Sequence, residues 1–425
     1  MASQLAVTKP GELTRILNPG VPVSLAYQNA SNTKVSTEDL MAQNRFTQNF
    51  TSLSLGSDGV SVNIPNQHII DQCVVHMAFA KLAENVYLPR GWAIRLIEEV
   101  SVHIAGATPV RFTYREVFNQ LMRDADTDAK RLQVLRLAGE EITDGPADDA
   151  PVAHLPLPLP WSCIRYMTEQ VGFDTALVNQ NIRIVLRLAR ADEIFSGSGV
   201  YPTAMSRAYV QVRQLEFKDP SQEVIRSSML SNPTALYSYH FNYPQPNQSP
   251  IFTGSSDPNQ PVTLTLQGFQ SGNLKNIVFM LQDVAQVAAG TGARNPLYYV
   301  PMKQLEVTWN GQVLMRNDEE STGGEWCLSE SLAGVCCADY SVAPPTQTVS
   351  PFSTLPFKTC WSVQLMVPRD EACSTDLLQA GENMSNQTLT IRFNTPTTGQ
   401  YRLFTTFNYG ANAVIHRQNC QIQWV

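Results

Sequence analysis

The two halves of the chain repeat each other, and this duplication is the strongest constraint on the fold. The first half contains LPLPWS at 157–162 and then NQNIRIVLRL, whereas the second contains LPFKTCWS at 355–362 and then NQTLTIRF. A similarity at a nearly fixed period indicates a duplicated domain, and this length suits two domains of about 200 residues each. Three pairs recur in the same order, 200, 207 and 205 residues apart: Trp161 and Trp361, Asn179 and Asn386, and the turn glycines Gly106 and Gly311.

Each half is rich in the period-two alternation that is typical of half-buried strands. Ile94–Gly106 places apolar side chains at even positions, and Asn181–Leu188 alternates cleanly. Glu98 falls on the apolar side of the first segment, where a charge is costly, so a partner such as an arginine is expected there. Further strands are predicted at 262–266, 276–281, 305–309, 361–367, 389–393 and 401–407, and Asn310-Gly311 predicts a hairpin turn.

Two helices and one irregular strand interrupt this alternation. Residues 114–122 and 127–138 have helical periodicity, and Gly139 is a suitable end for the second helix. Residues 208–212 alternate again, and the phase changes at Leu215, which indicates a β-bulge. The long connections between strands favour jelly rolls over an up-and-down barrel.

The predicted fold is therefore all-β, with two tandem eight-stranded antiparallel jelly-roll β-sandwiches and short helical insertions. The expected divisions are an N-terminal arm at 1–50, a first jelly roll at 51–218, a linker or exposed loop at 219–260 and a second jelly roll at 261–425. The arm is polar and interrupted by prolines, and arms of this kind often become ordered only when they dock on a neighbouring molecule.

Charge and cysteine content restrict the classes of function. The net charge is −7 with a pI near 5.5, and no basic stripe is present, so direct nucleic-acid binding is not expected. The first 20 residues lack a signal-peptide pattern, and no apolar run is long enough to predict a transmembrane helix. Free thiols are expected for the eight cysteines, with the adjacent Cys336 and Cys337 as a redox pair the alternative.

No enzyme or metal motif stands out, so the sequence predicts no catalytic, cofactor-binding or metal-ligating residue. Gly197-Ser198-Gly199 lacks the outer glycine of a nucleophile elbow, and Gly290-Thr291-Gly292 lacks the lysine of a phosphate loop. Glu98 is the one carboxylate that could serve in acid–base chemistry, although a structural ion pair is favoured. The tryptophans are expected to be core anchors. The six histidines have no metal-ligand spacing: His68, His76, His103, His154, His240 and His416.

Six segments carry a resemblance to a known family. The first half contributes LPRGWAIRLIEEVSVHIAG with FTYREVFNQL, and LPLPLPWSCIRYMTEQVGFDTALVNQNIRIVLRL. The second half contributes GFQSGNLKNIVFMLQD, KQLEVTWNGQVLMRND, LMVPRDEACSTDLLQAGENMSNQTLTIRF and TTFNYGANAVIHRQNCQIQWV. In this order they resemble the double jelly-roll major capsid proteins of double-stranded DNA viruses, in the nucleocytoplasmic large DNA virus, virophage and polinton-like lineage. The resemblance covers residues 60–425.

The resemblance implies a structural protein of the virion capsid, assembled inside the infected host cell, and not an enzyme. It implies a homotrimer in which six sandwiches form a pseudo-hexagonal capsomer that tiles an icosahedral shell. Expected partners are the chain itself, minor capsid and penton proteins, and an internal membrane beneath the shell. The N-terminal arm is then a natural clamp between subunits.

One alternative belongs to another class of function. Some glycan-binding and glycan-cleaving proteins also stack two jelly rolls. Such proteins are typically secreted, have disulfides, and place clustered carboxylates beside exposed aromatic side chains. This chain lacks the secretion signal and a clear carboxylate cluster, so the capsid interpretation is favoured.

Overall fold

The chain forms two β-sandwiches that follow each other in sequence. The computed structural model describes residues 40–50, 53–56, 59–66, 68–89, 91–104, 108–124, 128–140, 150–161, 173–178, 181–217, 236–267, 273–285, 299–300, 302–316, 360–364, 387–416 and 421–424, with single residues 142, 220, 224, 227, 231 and 269. The first sandwich contains Leu40–Phe50 (β1), Val60–Ile64 (β2), Ile69–Ala78 (β3), Ile97–His103 (β4), Val110–Thr113 (β5), Val152–Pro156 (β6), Ile182–Leu188 (β7) and Arg207–Phe217 (β8). The second contains Leu236–Gln248 (β9), Val262–Leu266 (β10), Asn273–Asp283 (β11), Lys303–Trp309 (β12), Gln312–Arg316 (β13), Cys360–Gln364 (β14), Leu389–Asn394 (β15) and Gln400–His416 (β16).

Strand order is the same in both sandwiches. The sheets of the first are β1-β8-β3-β6 and β2-β7-β4-β5, and those of the second are β9-β16-β11-β14 and β10-β15-β12-β13. All of these pairings are antiparallel. Each strand therefore corresponds to the strand eight places later, and each set of eight strands is a jelly roll. The predicted fold class is confirmed, and the sandwiches are called the first roll and the second roll below.

Irregularities in the ladders recur at equivalent positions. The β3–β8 ladder shifts register between Arg213 and Gln214, which leaves Asp71 of β3 without an opposite residue. The β11–β16 ladder does the same and leaves Lys275 of β11 over. The bulge fixes which residues of the two rolls are equivalent. A residue of β3 corresponds to the residue of β11 that lies 204 positions later, and a residue of β8 to the residue of β16 that lies 195 positions later. It also explains the phase change predicted near Leu215, with the extra residue on the neighbouring strand.

Short helices fill the connections of the first roll. They are Trp92–Leu96 (α1), Tyr114–Asp124 (α2), Asp128–Leu137 (α3), Ala191–Ile194 (α4) and the 3₁₀ turn Thr175–Leu177. The second and third confirm the two predicted helices. Gly139 follows α3 with φ 115°, a conformation that glycine adopts without steric cost, as expected for the end of a helix. Short strands extend the sheets at Phe173–Asp174 in the first roll and at Phe252–Thr253, Tyr299–Val300 and Gln421–Trp424 in the second. Two further pairs form separate two-stranded sheets: Leu53–Ser54 with Ala204–Met205, and Val86–Tyr87 with Ser196–Gly197.

The strand predicted at 94–106 begins later than expected. Gly91 has φ 69°, α1 covers residues 92–96, and β4 starts only at Ile97. All five α1 residues are buried, and the Trp92 ring lies 5.3 Å from the Phe79 ring. Arg95 is buried together with its apolar neighbours, so the alternation of Ile94, Arg95 and Leu96 does not mark an exposed face and cannot distinguish helix from strand.

Two predicted boundaries are wrong in part because they assigned edge strands to an arm and to a loop. Residues 40–50 of the expected arm are β1, which pairs with β8 along its length. Residues 236–248 of the expected linker are β9, which pairs with β16 over 13 residues. Both strands lie at sheet edges, where polar residues and prolines are tolerated, as Pro244 and Pro246 are in β9. Residues 1–39 lie outside the described residues.

Each roll has its own apolar core between its two sheets. Trp161 lies in the first core, and its indole nitrogen donates a hydrogen bond to the carbonyl of Ile70 at 3.1 Å. The second core is built around Tyr401, Phe407 and Tyr409. Trp92 and Trp161 are fully buried, as expected for core anchors, and Trp309 is half-buried. Trp326 lies outside the described residues, and nothing is described of the side chains of Trp361 and Trp424.

Candidate assembly surfaces

The two rolls share a buried seam. The outer face of the second roll's β9-β16-β11-β14 sheet does not meet solvent at its centre, because Val278, Met280 and Phe404 belong to the first roll's apolar cluster. Val278 is 1% exposed and Met280 is 0% exposed. Strand β9 also lies beside β5 of the first roll. The centre of this sheet is therefore buried on both faces.

A helix start of the first roll provides the polar part of the seam. Thr113 precedes α2, and the Glu116 carboxylate accepts a hydrogen bond from the backbone N–H of Thr113 at 2.9 Å and another from its hydroxyl. This is the glutamate half of a capping box, in which the side chain of the third helical residue satisfies the backbone N–H of the residue before the helix. The other Glu116 oxygen accepts a hydrogen bond from the Thr406 hydroxyl of the second roll at 2.7 Å. The Thr-x-x-Glu pattern at 113–116 was a signal in the sequence that could have located this helix start, although it does not point to Thr406 as the partner.

An arginine lies between aromatic rings beside the same contact. The Arg115 guanidinium carbon is 3.6 Å from the centroid of the Phe404 ring and 4.4 Å from that of the Tyr114 ring. Cation–π contacts of this kind favour a charged group at a boundary that is otherwise apolar. Residues of one short helix thus hold the second roll through a charge-assisted hydrogen bond and a ring contact.

The equivalent face of the first roll carries a polar cluster. We call Val74, His76, Val152, His154, Tyr209 and Gln211 the first-roll outer face. His76 Nδ1 lies 2.5 Å from His154 Nδ1, and His76 Nε2 lies 3.1 Å from Gln211 Oε1. The His76 and Tyr209 rings stack at 4.3 Å, with the Arg207 guanidinium 5.0 Å from the Tyr209 ring. Val152 is 52% exposed and the other five are half-buried.

The other sheet of each roll carries ion pairs on its outer face. Arg187 lies 3.9 Å from Glu98 and Arg111 lies 3.9 Å from Glu99 in the first roll. Glu306 lies between Arg316 and Arg392 at 3.8 and 3.7 Å in the second. These pairs are partly solvent-exposed, so each stabilises the fold by about 1 kcal/mol or less.

The prediction that Glu98 lies on the apolar side of its strand is wrong, whereas its expected arginine partner is present. The β4–β7 ladder shifts register between Arg187 and Leu188, and Glu98 is the residue left over in β4. This bulge returns Ile97 to the buried side and leaves the Glu98 side chain 38% exposed beside Arg187. Glu98 therefore has the surroundings of a surface ion pair.

The remaining residues weighed for chemistry are dispersed. His68 lies 3.7 Å from Glu216, and His103 lies on β4. Gly197-Ser198-Gly199 forms a turn against the backbone of Asn85. Within the described residues, no three His, Cys, Asp or Glu side chains come together as a metal site. Gly290-Thr291-Gly292, Cys336 and Cys337 lie outside the described residues, as do the side chains of His240 and His416.

Among the helices of the described residues, none combines the length and the apolar character that a membrane span requires.

Viral capsid proteins are among the solved structures that match both rolls. VP54 of PBCV-1 matches with a TM-score of 0.57 and 12% identity, over 90% of this chain and 97% of that one. The Faustovirus major capsid protein matches with a TM-score of 0.53 and 9% identity, over 96% and 99%. The likeness covers both rolls. The chain has the double jelly-roll fold of viral major capsid proteins.

A third solved structure shares the double jelly roll at similarly low sequence identity. The mavirus major capsid protein matches with a TM-score of 0.52 and 10% identity, over 96% of both chains. No protein-family model matches the sequence, and no curated protein matches it. At 9–12% identity the likeness is one of fold, which very different sequences can share.

Proposed function

We propose that this double jelly roll is a major capsid protein, a structural protein that self-assembles into homotrimeric, pseudo-hexagonal capsomers of an icosahedral virion shell. One observation carries the proposal: a single chain contains two rolls of identical strand order, and this pair extends over nearly the whole length of known major capsid proteins.

Duplication gives a physical reason for the trimer. Two similar rolls in one chain present similar contact surfaces, so three chains can close a ring of six nearly equivalent rolls. Such a ring uses a heterologous interface, in which one patch of each subunit fits a different patch of the next subunit. Obligate interfaces of this kind bury at least about 2,000 Å² and are largely apolar.

Other proposed partners follow from the shell itself. They are minor capsid proteins, penton proteins at the vertices and an internal membrane, with assembly inside the infected host cell. The net charge of −7 favours a shell that does not contact the genome directly. The proposed arm is residues 1–39, since β1 belongs to the first roll. The proposed boundary between the two rolls along the chain lies between β8 and β9.

The glycan-binding or glycan-cleaving alternative is not favoured. Glu98, the carboxylate that sequence reasoning singled out for acid–base chemistry, lies in a surface ion pair with Arg187. The role that we propose is structural and not catalytic.

Native mass tests the proposal. The untagged recombinant protein is measured by light scattering after size exclusion, and the same peak is imaged by negative stain. The expected result is a mass of three times 47.1 kDa with pseudo-hexagonal particles. A two-lobed monomer at every concentration tested overturns the capsomer, and glycan binding would then be measured.

A further inference from the structure

The correspondence between the rolls extends to the side chains of their outer faces. The bulges at Asp71 and Lys275 set the register independently of any side chain on those faces. Three cross-strand pairs on the β3–β8 ladder then correspond to three on the β11–β16 ladder. The equivalences are Val74 with Val278, His76 with Met280, Ala78 with Gln282, Gln211 with Thr406, Tyr209 with Phe404, and Arg207 with Arg402.

The two faces have different surroundings in one chain. In the second roll, Met280, Phe404 and Thr406 are buried at 0, 6 and 2% exposure because the first roll covers them. In the first roll, the equivalent His76 and Tyr209 are only half-buried, and Val152 beside them is 52% exposed. The same architectural position is therefore covered in one roll and open in the other.

We propose that the first-roll outer face docks the second roll of a second copy of this chain. The contact between the two copies would resemble the contact inside one chain. There the first roll covers the outer face of β11 and β16, and here the second roll of the other copy covers the first-roll outer face. Repeating the two contacts alternately closes a ring of rolls, in which every such face is covered. This inference rests on the proposed homotrimer and assigns its interface to named residues.

The chemistry of the face is compatible with burial under a protein partner. Of the two Nδ1 atoms of His76 and His154, one must donate and the other accept, and His76 Nε2 is paired with Gln211. Polar groups that already have partners can be covered without leaving unsatisfied donors or acceptors. Tyr209 adds a flat aromatic surface held by His76 and Arg207, and Tyr and Arg are enriched where interfaces are tightest.

A charge placed on this face tests the assignment. Val152→Arg adds a cation to a side chain that is exposed in one chain, so the subunit should fold normally, whereas association should weaken by about 100-fold because a buried charge without a partner is costly. Val200→Arg is the control, because Val200 is 83% exposed in a loop of the same roll. Both variants and the wild type are compared by light scattering over a dilution series, with thermal melts to verify folding.

Thiol labelling provides a second measurement that does not depend on disrupting the assembly. Val152→Cys and Val200→Cys are each labelled with a maleimide in the assembled state, and the modified peptide is quantified. Labelling at position 152 should be about tenfold slower than at 200, because an interface excludes the reagent. Equal rates, or a Val152→Arg variant that stays trimeric, overturn this inference alone. A monomeric wild type overturns the proposed function instead.

Discussion

The Thr406 hydroxyl donates a hydrogen bond to the Glu116 carboxylate at 2.7 Å, and the two residues are 290 positions apart in the chain. Both side chains are buried, at 2 and 3% exposure. The contact joins the start of α2 in the first roll to the outer face of β16 in the second. The carboxylate that caps the helix also fixes where the second roll sits, because its two oxygens serve the two rolls separately.

Removing this hydroxyl should therefore destabilise the protein. Thr406→Val keeps the shape of the side chain but leaves a buried carboxylate oxygen without its donor, which costs about 1.5–3 kcal/mol for a charged acceptor. Thr265→Val is the matched control, because Thr265 is exposed on β10 and the same change there should alter stability by about 0.5 kcal/mol or less. Urea unfolding measures both, and equal midpoints would contradict the role of this contact.

Two glycines with positive φ should respond differently to the same substitution. A Cβ on Gly139 would collide with the indole ring of buried Trp92, whereas a Cβ on Gly311 would meet nothing within 4 Å. Both positions have left-handed backbone, at φ 115° and 81°, so both alanine variants incur about 1–2 kcal/mol of backbone strain. Gly139→Ala should lower the free energy of unfolding by about 1–3 kcal/mol more, because the added methyl group overpacks the site. Equal decreases in the melting temperatures of the two variants would show that the Trp92 ring moves aside at no measurable cost.

Removing parts of the N-terminal segment should separate assembly from folding. Deletion of residues 2–39 leaves β1 in place, so the first roll should retain its melting temperature while trimers weaken if the arm is a clamp. Deletion of residues 2–50 also removes β1, which pairs with β8 from Leu40 to Phe50. That second variant exposes an unpaired strand edge and should aggregate or melt early. Light scattering and melting curves of the two truncations distinguish the outcomes, and identical behaviour would contradict the assignment of β1.

The strands of this fold could be predicted from sequence because one sheet face is buried and the other is not. Ile182–Leu188 alternates between buried and more exposed side chains along its whole length, as its sequence predicted. The Asn310-Gly311 turn was equally readable, since both residues have positive φ, at 47° and 81°. Local patterns of this kind depend only on neighbouring residues, which a sequence displays directly.

What the sequence did not reveal depends on contacts between distant residues. Glu98 was placed on the wrong side because a bulge is set by the opposite strand, at Arg187 and Leu188. Strands β1 and β9 read as polar coil because edge strands bury little. The pairing of His76 with His154 and of Glu116 with Thr406 depends on sheet order, and no local pattern encodes that order.

The thiol of Cys73 should be unreactive in the folded protein. Cys73 is fully buried on β3, and burial raises the pKa of the thiol to about 12, so almost no thiolate exists near neutral pH. Iodoacetamide at pH 8 should leave the peptide that contains Cys73 unmodified, whereas the same treatment in 8 M urea, or about that concentration, should alkylate it fully because unfolding exposes the strand. Peptide mapping by mass spectrometry gives both values. Rapid labelling under native conditions would show that β3 opens easily.

His103 should make the first roll less stable in mild acid. Burial lowers the pKa of its imidazole below the ordinary value of 6.5, the nearby Arg183 and Arg111 lower it further, and Glu99 only partly offsets them. A base whose pKa is lower in the folded state binds protons more readily when unfolded, so its contribution to stability is present above pH 6.5, the unfolded value. It is lost as the pH falls from there through the lower pKa of the folded state. His103→Gln removes the titrating group, so the free energy of unfolding should depend less on pH between about pH 7 and 5. Urea unfolding at each pH measures the free energy of unfolding. Above about pH 7.5, where His103 is neutral in both the folded and the unfolded state, the two proteins should show the same dependence of this free energy on pH. A variant that loses stability in acid as steeply as the wild type would assign the acid sensitivity to other groups.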